Sequence, residues 1–380
     1  MPFFKKKSAN YILMFIILLV VLFFYQKYQK KIDDKDSYER YDAIQKYLMN
    51  DNSDDIINNK INKPILWILL KYEYNSRNWQ SFGSRSSRDL NQPYLYLTVN
   101  SIIKMCSDSF HICLIDDNSF HKLLPEWSID VTKISGPIIK NVRDLAMTKL
   151  LYKYGGIRVP ASFVCMRDME EMYEMGTSND KMFVCETVNR NSTSSHRDFF
   201  PNIEFMGSKR ENPHIKELIS VIETTISKDY TAESIFLGNF NKWCELLFME
   251  NKINMINGNL IGTKTIDNTP ILLDHLLNND YINIYSGTYG IYIPSYELIN
   301  RNNYSWFVRM SPVQILESNI IIAKYMLLSN TPNAKSGVIE AMRDKKNWVS
   351  FWRVPSGAPV WGLKPIDLGN FVPMESHPSQ

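Results

Sequence analysis

The sequence predicts an α/β fold, a mostly parallel sheet with helices on its faces, preceded by one N-terminal transmembrane helix. Three observations predict it. Short apolar runs of strand length alternate with helix-length stretches from residue 63 onward, the pattern of strands buried on both faces by crossover helices. The helical stretch 138–154 stops at Gly155-Gly156, where glycine supplies the left-handed turn of a helix end. Residues 9–25 form one uncharged apolar run. The bulk numbers agree: 380 residues, 44% hydrophobic and 22% charged, are an ordinary globular balance. A net charge of +3 gives no support to a nucleic-acid partner.

Residues 1–8 are a short basic tail carrying Lys5, Lys6 and Lys7. Residues 9–25 would extend about 25 Å as a helix, near the lower limit of a bilayer span and suited to thin early secretory membranes. A cleavable signal peptide is the rival reading. The run is followed by Tyr25-Gln26-Lys27-Tyr28, without a small-residue cleavage site, which favours an uncleaved anchor. Lysines flank the segment on both sides, so the positive-inside rule leaves its orientation open. The expectation is a single-pass protein of type II in the secretory pathway. Residues 26–62 read as a polar stem, with Tyr41, Ile44, Tyr47 and Leu48 at helical spacing inside it.

The domain, taken as 63–345, opens with the apolar strand 64–70 and a Ser/Arg/Asn-rich loop. A helix over about 92–105, a strand over 110–117, a short helix ending near Pro125 and a strand over 129–134 follow. Helix 138–154 leads into strands 157–166 and 182–186. The second half holds a strand near 203–206, helices near 213–227 and 232–249, and a helix running to Leu277. Strands 281–285 and 290–294 and a long apolar helix over about 312–328 complete it. Residues 346–380 form an aromatic-rich C-terminal arm, read as packing over the domain rather than as a sugar-stacking platform. The five cysteines show no zinc-like spacing, and those in apolar runs read as buried thiols.

Ligands of open parallel sheets bind beyond the carboxyl ends of the strands. Asp116 and Asp117 end one strand and are candidates there, with helix capping an equal alternative. Asp144, near the start of its helix, is either a site acid or a solvated carboxylate favoured by the helix dipole. Trp67 is core or a wall of the site. Gly155 and Gly156 would let backbone come close to a ligand.

Together these pieces carry a resemblance. Lys63-Pro64-Ile65-Leu66-Trp67, the strand ending Leu114-Ile115-Asp116-Asp117-Asn118, and Asp144-Leu145 followed by Leu150-Leu151-Tyr152 and Tyr154-Gly155-Gly156-Ile157 are similar to a sugar-transferase family. It is the mannosyltransferase-like family shared with capsular polysaccharide synthesis proteins, of GT-A fold. Asn202-Ile203-Glu204-Phe205 and the following Pro213 resemble a later strand and helix of that family. The resemblance implies a nucleotide-sugar donor, a glycan or glycoprotein acceptor, and Asp144 as the catalytic candidate. Trp67, Asp116, Asp117, Gly155, Gly156, Arg158 and Ser162 would be the donor-binding residues.

The departures from the family shape the function. Its metal-binding Asp-x-Asp pair falls on Pro160 and Ser162, its Tyr on Arg158, and its helix Arg on Met147. The Val159-Pro160-x-Ser162-Phe163 replacement resembles a divergent branch of large DNA viruses. Mn²⁺ or Mg²⁺ would lack its usual ligands, since hard cations need anionic oxygens. Arg158 could neutralise a phosphate instead, through bidentate hydrogen bonds. The expectation is a membrane-anchored, glycosyltransferase-like protein, metal-independent if active. The alternative is an inactive relative that binds sugar or nucleotide or serves as a structural membrane or virion component.

Overall fold

The computed structural model describes residues 14, 17–25, 27, 63–70, 92–134, 138–190, 194, 196–228 and 238–331. The basic tail, all of the stem but Lys27, loop 71–91 and the C-terminal arm lie outside the described residues. The described part of segment 9–25 is helical and presents apolar side chains outward, Phe23 at 64% exposure. Among the described residues no helix is long and apolar enough to cross a membrane.

Six strands form the main sheet: β1 (Ile65–Leu69), β2 (His111–Ile115), β3 (Gly156–Arg158), β5 (Phe183–Val188), β6 (Phe199–Ser208) and β7 (Asn254–Ile256). Their order is β2-β1-β3-β6-β5-β7. β1 runs parallel to β2 and β3, and β5 parallel to β7, while β6 lies antiparallel to both neighbours. One strand of six is therefore reversed. A second, two-stranded ribbon pairs β4 (Phe163–Cys165) with β8 (Gly290–Tyr292), antiparallel.

The apolar runs form strands because both faces of the sheet are covered. Ile65, Trp67 and Leu69 of β1 enter one core with α3 (Ile138–Tyr154), α5 (Pro213–Lys228) and α6 (Asn239–Met249). Leu66 and Ile68 enter the other, with α1 (Tyr94–Cys106) and α4 (Glu170–Gly176). This period-two division is what a strand buried on both sides requires. A third core gathers the start of α1, β8, the short helices α7 (Leu273–Leu276) and α8 (Ser295–Asn300), and the C-terminal helices α9 (Ser305–Arg309), α10 (Pro312–Glu317) and α11 (Ile321–Asn330).

Several expected elements differ. The strand expected over 157–166 breaks at Pro160, which has no N–H for the ladder; Phe163 N–H closes a turn onto its carbonyl at 3.0 Å, and the chain passes to the ribbon. Residues 129–134 hold only a single 3₁₀ turn, Val131–Lys133, and 281–285 stay outside both sheets. The helix expected over 312–328 is two helices. Ser318 is extended, and the Ile321 N–H goes to the Asn278 carbonyl at 2.7 Å instead of continuing the first helix.

Candidate functional site

Helix α3 returns from the end of β2 to the start of β3, so its first turns stand at the carboxyl edge of the sheet. Lys140, Arg143 and Asp144 lie there, with Asp117 just beyond β2 and Arg158 at the end of β3. Because β6 is reversed and Met206 pairs with Arg158, Glu204 of β6 lies beyond Arg158 toward the same edge. The tight sheet end thus collects three cations and three carboxylates.

They pair with one another. Arg158 Nη2 meets Asp144 Oδ1 at 2.5 Å, with the two side chains only 8% and 4% exposed. Arg143 grips Asp117 through two bonds, Nε to Oδ1 at 2.9 Å and Nη2 to Oδ2 at 2.8 Å. Lys140 Nζ stands 3.0 Å from Glu204 Oε1 and over the Tyr296 ring at 5.3 Å. Burial works against the Lys140 charge, but Glu204 and Asp144 outweigh it and hold its pKa above the usual lysine value. Tyr292 donates to Glu204 Oε2 at 3.1 Å. Burial, then Glu204, then Glu297 and Tyr94 push its phenol well above the ordinary range, so it stays a donor.

Three buried polar atoms of this region have no hydrogen-bond partner among the described residues: Arg158 Nη1, Tyr94 Oη and Glu297 Oε2. Glu297 Oε1 accepts from Arg190 Nε at 2.8 Å, and Arg301 Nη2 stands 3.6 Å from Oε2, an ion pair too long for a hydrogen bond.

The sequence-derived residues divide into two groups. Asp144, Arg158 and Asp117 come together at the edge, each already holding a charged partner. Asp116 closes the turn into α2 (Ser119–Leu123), accepting from the Ser119 N–H at 2.9 Å and its hydroxyl at 2.6 Å. Ser162 is 2% exposed and donates to the Ile293 carbonyl at 2.6 Å, tying the turn after Pro160 to β8. Trp67 is fully buried, with Nε1 donating to the Gly155 carbonyl at 2.9 Å, so it is core. Gly155 and Gly156 stand at the amino end of β3, opposite the edge. Gly155 caps α3 at φ +68°, while Gly156, at φ +102°, faces the Ile65 carbonyl, which a Cβ there would meet at 2.0 Å. The close backbone approach that Gly156 permits is to strand β1, and Gly155 packs against the backbone of Ser208 and Arg210.

These residues do not fit a divalent cation. Pro160 offers no ligand atom, the Ser162 hydroxyl is spent on a carbonyl, and Asp144 is paired with Arg158. Among the described residues no group of three His, Cys, Asp or Glu could hold a metal.

Sequence reasoning missed Lys140, Glu204, Tyr292 and Glu297. Glu204 left one trace, being the single acidic residue in the mostly buried strand Phe199–Ser208. The other three had none. All five cysteines are free and buried. Burial pushes the thiols of Cys113, Cys165, Cys185 and Cys244 up.

No protein-family model matches the chain, and no curated protein matches it in sequence.

Proposed function

We propose that this chain is a membrane-anchored, glycosyltransferase-like protein of GT-A type. It takes a nucleotide-sugar donor at the carboxyl edge of its sheet without a divalent cation and passes the sugar to a glycan or glycoprotein. The observation that carries the reading is the free arm of Arg158. Its Nη1 is buried and has no acceptor among the described residues. A buried donor left unpaired costs about 1–3 kcal/mol, which a bound acceptor returns. Phosphate is the acceptor that best matches a guanidinium whose other arm is already fixed, here by Asp144. Arg158 ends β3 at the carboxyl edge of the sheet, the side on which α/β sheets receive nucleotides.

In this scheme Asp144 orients Arg158 and moderates its charge, and Lys140 adds a second cation to the diphosphate end. The apolar segment 9–25 serves as the anchor, with the domain in the secretory lumen. A second reading has its own support: Asp144, the catalytic candidate, is held by Arg158 and is not free to act on a substrate. The domain would then bind a nucleotide-sugar without transferring it.

Calorimetry of the full chain in detergent, titrated with UDP- and GDP-sugars with EDTA and then with Mn²⁺, tests both. Binding in EDTA together with release of free sugar supports transfer, and R158A should abolish it. Binding without turnover supports the second reading. Absence of binding under either condition sinks both.

A further inference from the structure

Two of the buried thiols touch. Cys106, the last residue of α1, and Cys165, the last of β4, stand 59 positions apart in the chain with their sulfurs 3.7 Å from one another. Neither has exposed surface. A free cysteine in a core is ordinarily an inert small hydrophobe, and the other three are placed as such. Cys113 and Cys244 lie in the core across the sheet, and Cys185 is on β5.

The contact is held in place by polar bonds between the two elements. The Cys165 N–H donates to Ser101 Oγ at 2.9 Å, and Thr98 Oγ1 donates to the Ala161 carbonyl at 2.5 Å, so α1 is pinned to the chain around β4 ahead of Cys106. Cys165 Sγ donates to the Arg167 carbonyl at 3.0 Å, which leaves its sulfur as acceptor for the Cys106 thiol. A disulfide is about 2.0 Å long, so the sulfurs have about 1.7 Å to close, a gap that small side-chain rotations take up. Between the two cysteines lie β2, α2, α3 and β3. With them come Asp117, Lys140, Arg143, Asp144 and Arg158, every charged group of the candidate edge but Glu204.

We infer that Cys106 and Cys165 are a covalent modification site, joined as a disulfide when the chain folds among small-molecule disulfides and left as thiols in a reducing compartment. The inference stands on this geometry and is independent of the nucleotide-sugar reading. One cysteine thiolate attacks a sulfur of oxidised glutathione, breaking its S–S bond and releasing one glutathione thiolate. The second cysteine thiolate then displaces the other glutathione from the mixed disulfide, and the two cysteine protons end on two glutathione thiols. Both sulfurs are sealed in the finished core, so the exchange belongs to folding, and the bond once made is shielded from reductants. It ties together the ends of the segment that carries the edge and restricts the unfolded chain.

The test synthesises the full chain cell-free in detergent, either with mixed reduced and oxidised glutathione or with dithiothreitol, then denatures it and counts thiols with a maleimide. Oxidising synthesis should leave three labelled cysteines, Cys113, Cys185 and Cys244, and dithiothreitol all five. Peptide mapping without reduction should show Cys106 joined to Cys165. The oxidised chain should melt about 5 °C or more above the reduced one, and C106A and C165A should each lose that difference. Five labels after oxidising synthesis, a link between any other two cysteines, or equal melting temperatures of the two wild-type forms would overturn the inference. The labelling and mapping need only the wild-type chain, so a variant that fails to fold does not shelter it.

Discussion

Replacing Arg158 by methionine should destabilise the protein by about 3 kcal/mol, at the low end of the 3–5 kcal/mol found when one partner of a buried ion pair is removed. The pair is 2.5 Å apart, with side chains 8% and 4% exposed, so solvent screens it little. Two unit charges about 4 Å apart attract by about 4 kcal/mol at an effective dielectric constant near 20. Lys140 also acts on Asp144 and offsets part of the loss. Removing the Asp144 charge as well should restore most of the stability, because the penalty comes from the carboxylate left buried rather than from a bond lost. D144N/R158M should therefore lie within about 1–2 kcal/mol of wild type, giving a coupling well outside the roughly 0.5 kcal/mol expected of independent sites. Urea unfolding followed by tryptophan fluorescence measures the four corners of the cycle. A loss under about 1 kcal/mol for R158M, or additive losses in the double variant, would refute a buried and coupled pair.

The glycine pair should respond unequally: G155A costs about 1–2 kcal/mol for its left-handed backbone, whereas G156A should exceed about 4 kcal/mol and yield insoluble chain, since its Cβ meets the Ile65 carbonyl at 2.0 Å. Similar melting points for the two would count against the β1–β3 approach. W67F should cost about 2 kcal/mol through the lost bond to Gly155 and the space left behind, and an unchanged melting temperature would contradict that role. Alkaline pH should weaken the fold. The thiols of Cys113, Cys165, Cys185 and Cys244 have raised pKa values in the folded state, so their stabilisation is complete below the unfolded thiol value of about 8.5 and is lost as pH rises above it. At about pH 9.5 each contributes a loss of about 1.4 kcal/mol. Equal melting temperatures at pH 7.5 and 9.5 would sink this, as would a Cys→Ala variant at all four positions that keeps the full pH dependence.

The strands most legible in the sequence were those buried on both faces, because a continuous apolar run such as Ile65–Leu69 has few alternatives. Short edge elements were not: β7 is three residues, half-buried, and looks like many loops. The breaks at Pro160 and Ser318 depend on where hydrogen bonds go in three dimensions, to a turn in one case and away to Asn278 in the other. At the site, Asp144 and Arg158 could be singled out because one local pattern holds both, a helix carrying Asp144 that ends at Gly155-Gly156 and leads into the strand with Arg158. Their mutual ion pair could not be foreseen, and it changes the part Asp144 plays. Glu204, Tyr292 and Glu297 come from strands and helices up to about 150 residues away in the chain, and only the reversal of β6 and the β4–β8 ribbon bring them in.

The strand order also sets a timetable for synthesis. β1 pairs on one side with β2 and on the other with β3, where Trp67 opposes Arg158. The second partner leaves the ribosome about 90 residues after the first strand, an interval of about 5–20 s at cellular elongation rates. β3 in turn waits for β6. For that time the sheet's most apolar strand keeps one open edge, the kind of surface that recruits other chains. A nascent chain with this topology is expected to depend on chaperone cover until residue 208 has emerged, and ribosome profiling of chaperone occupancy would place the release there.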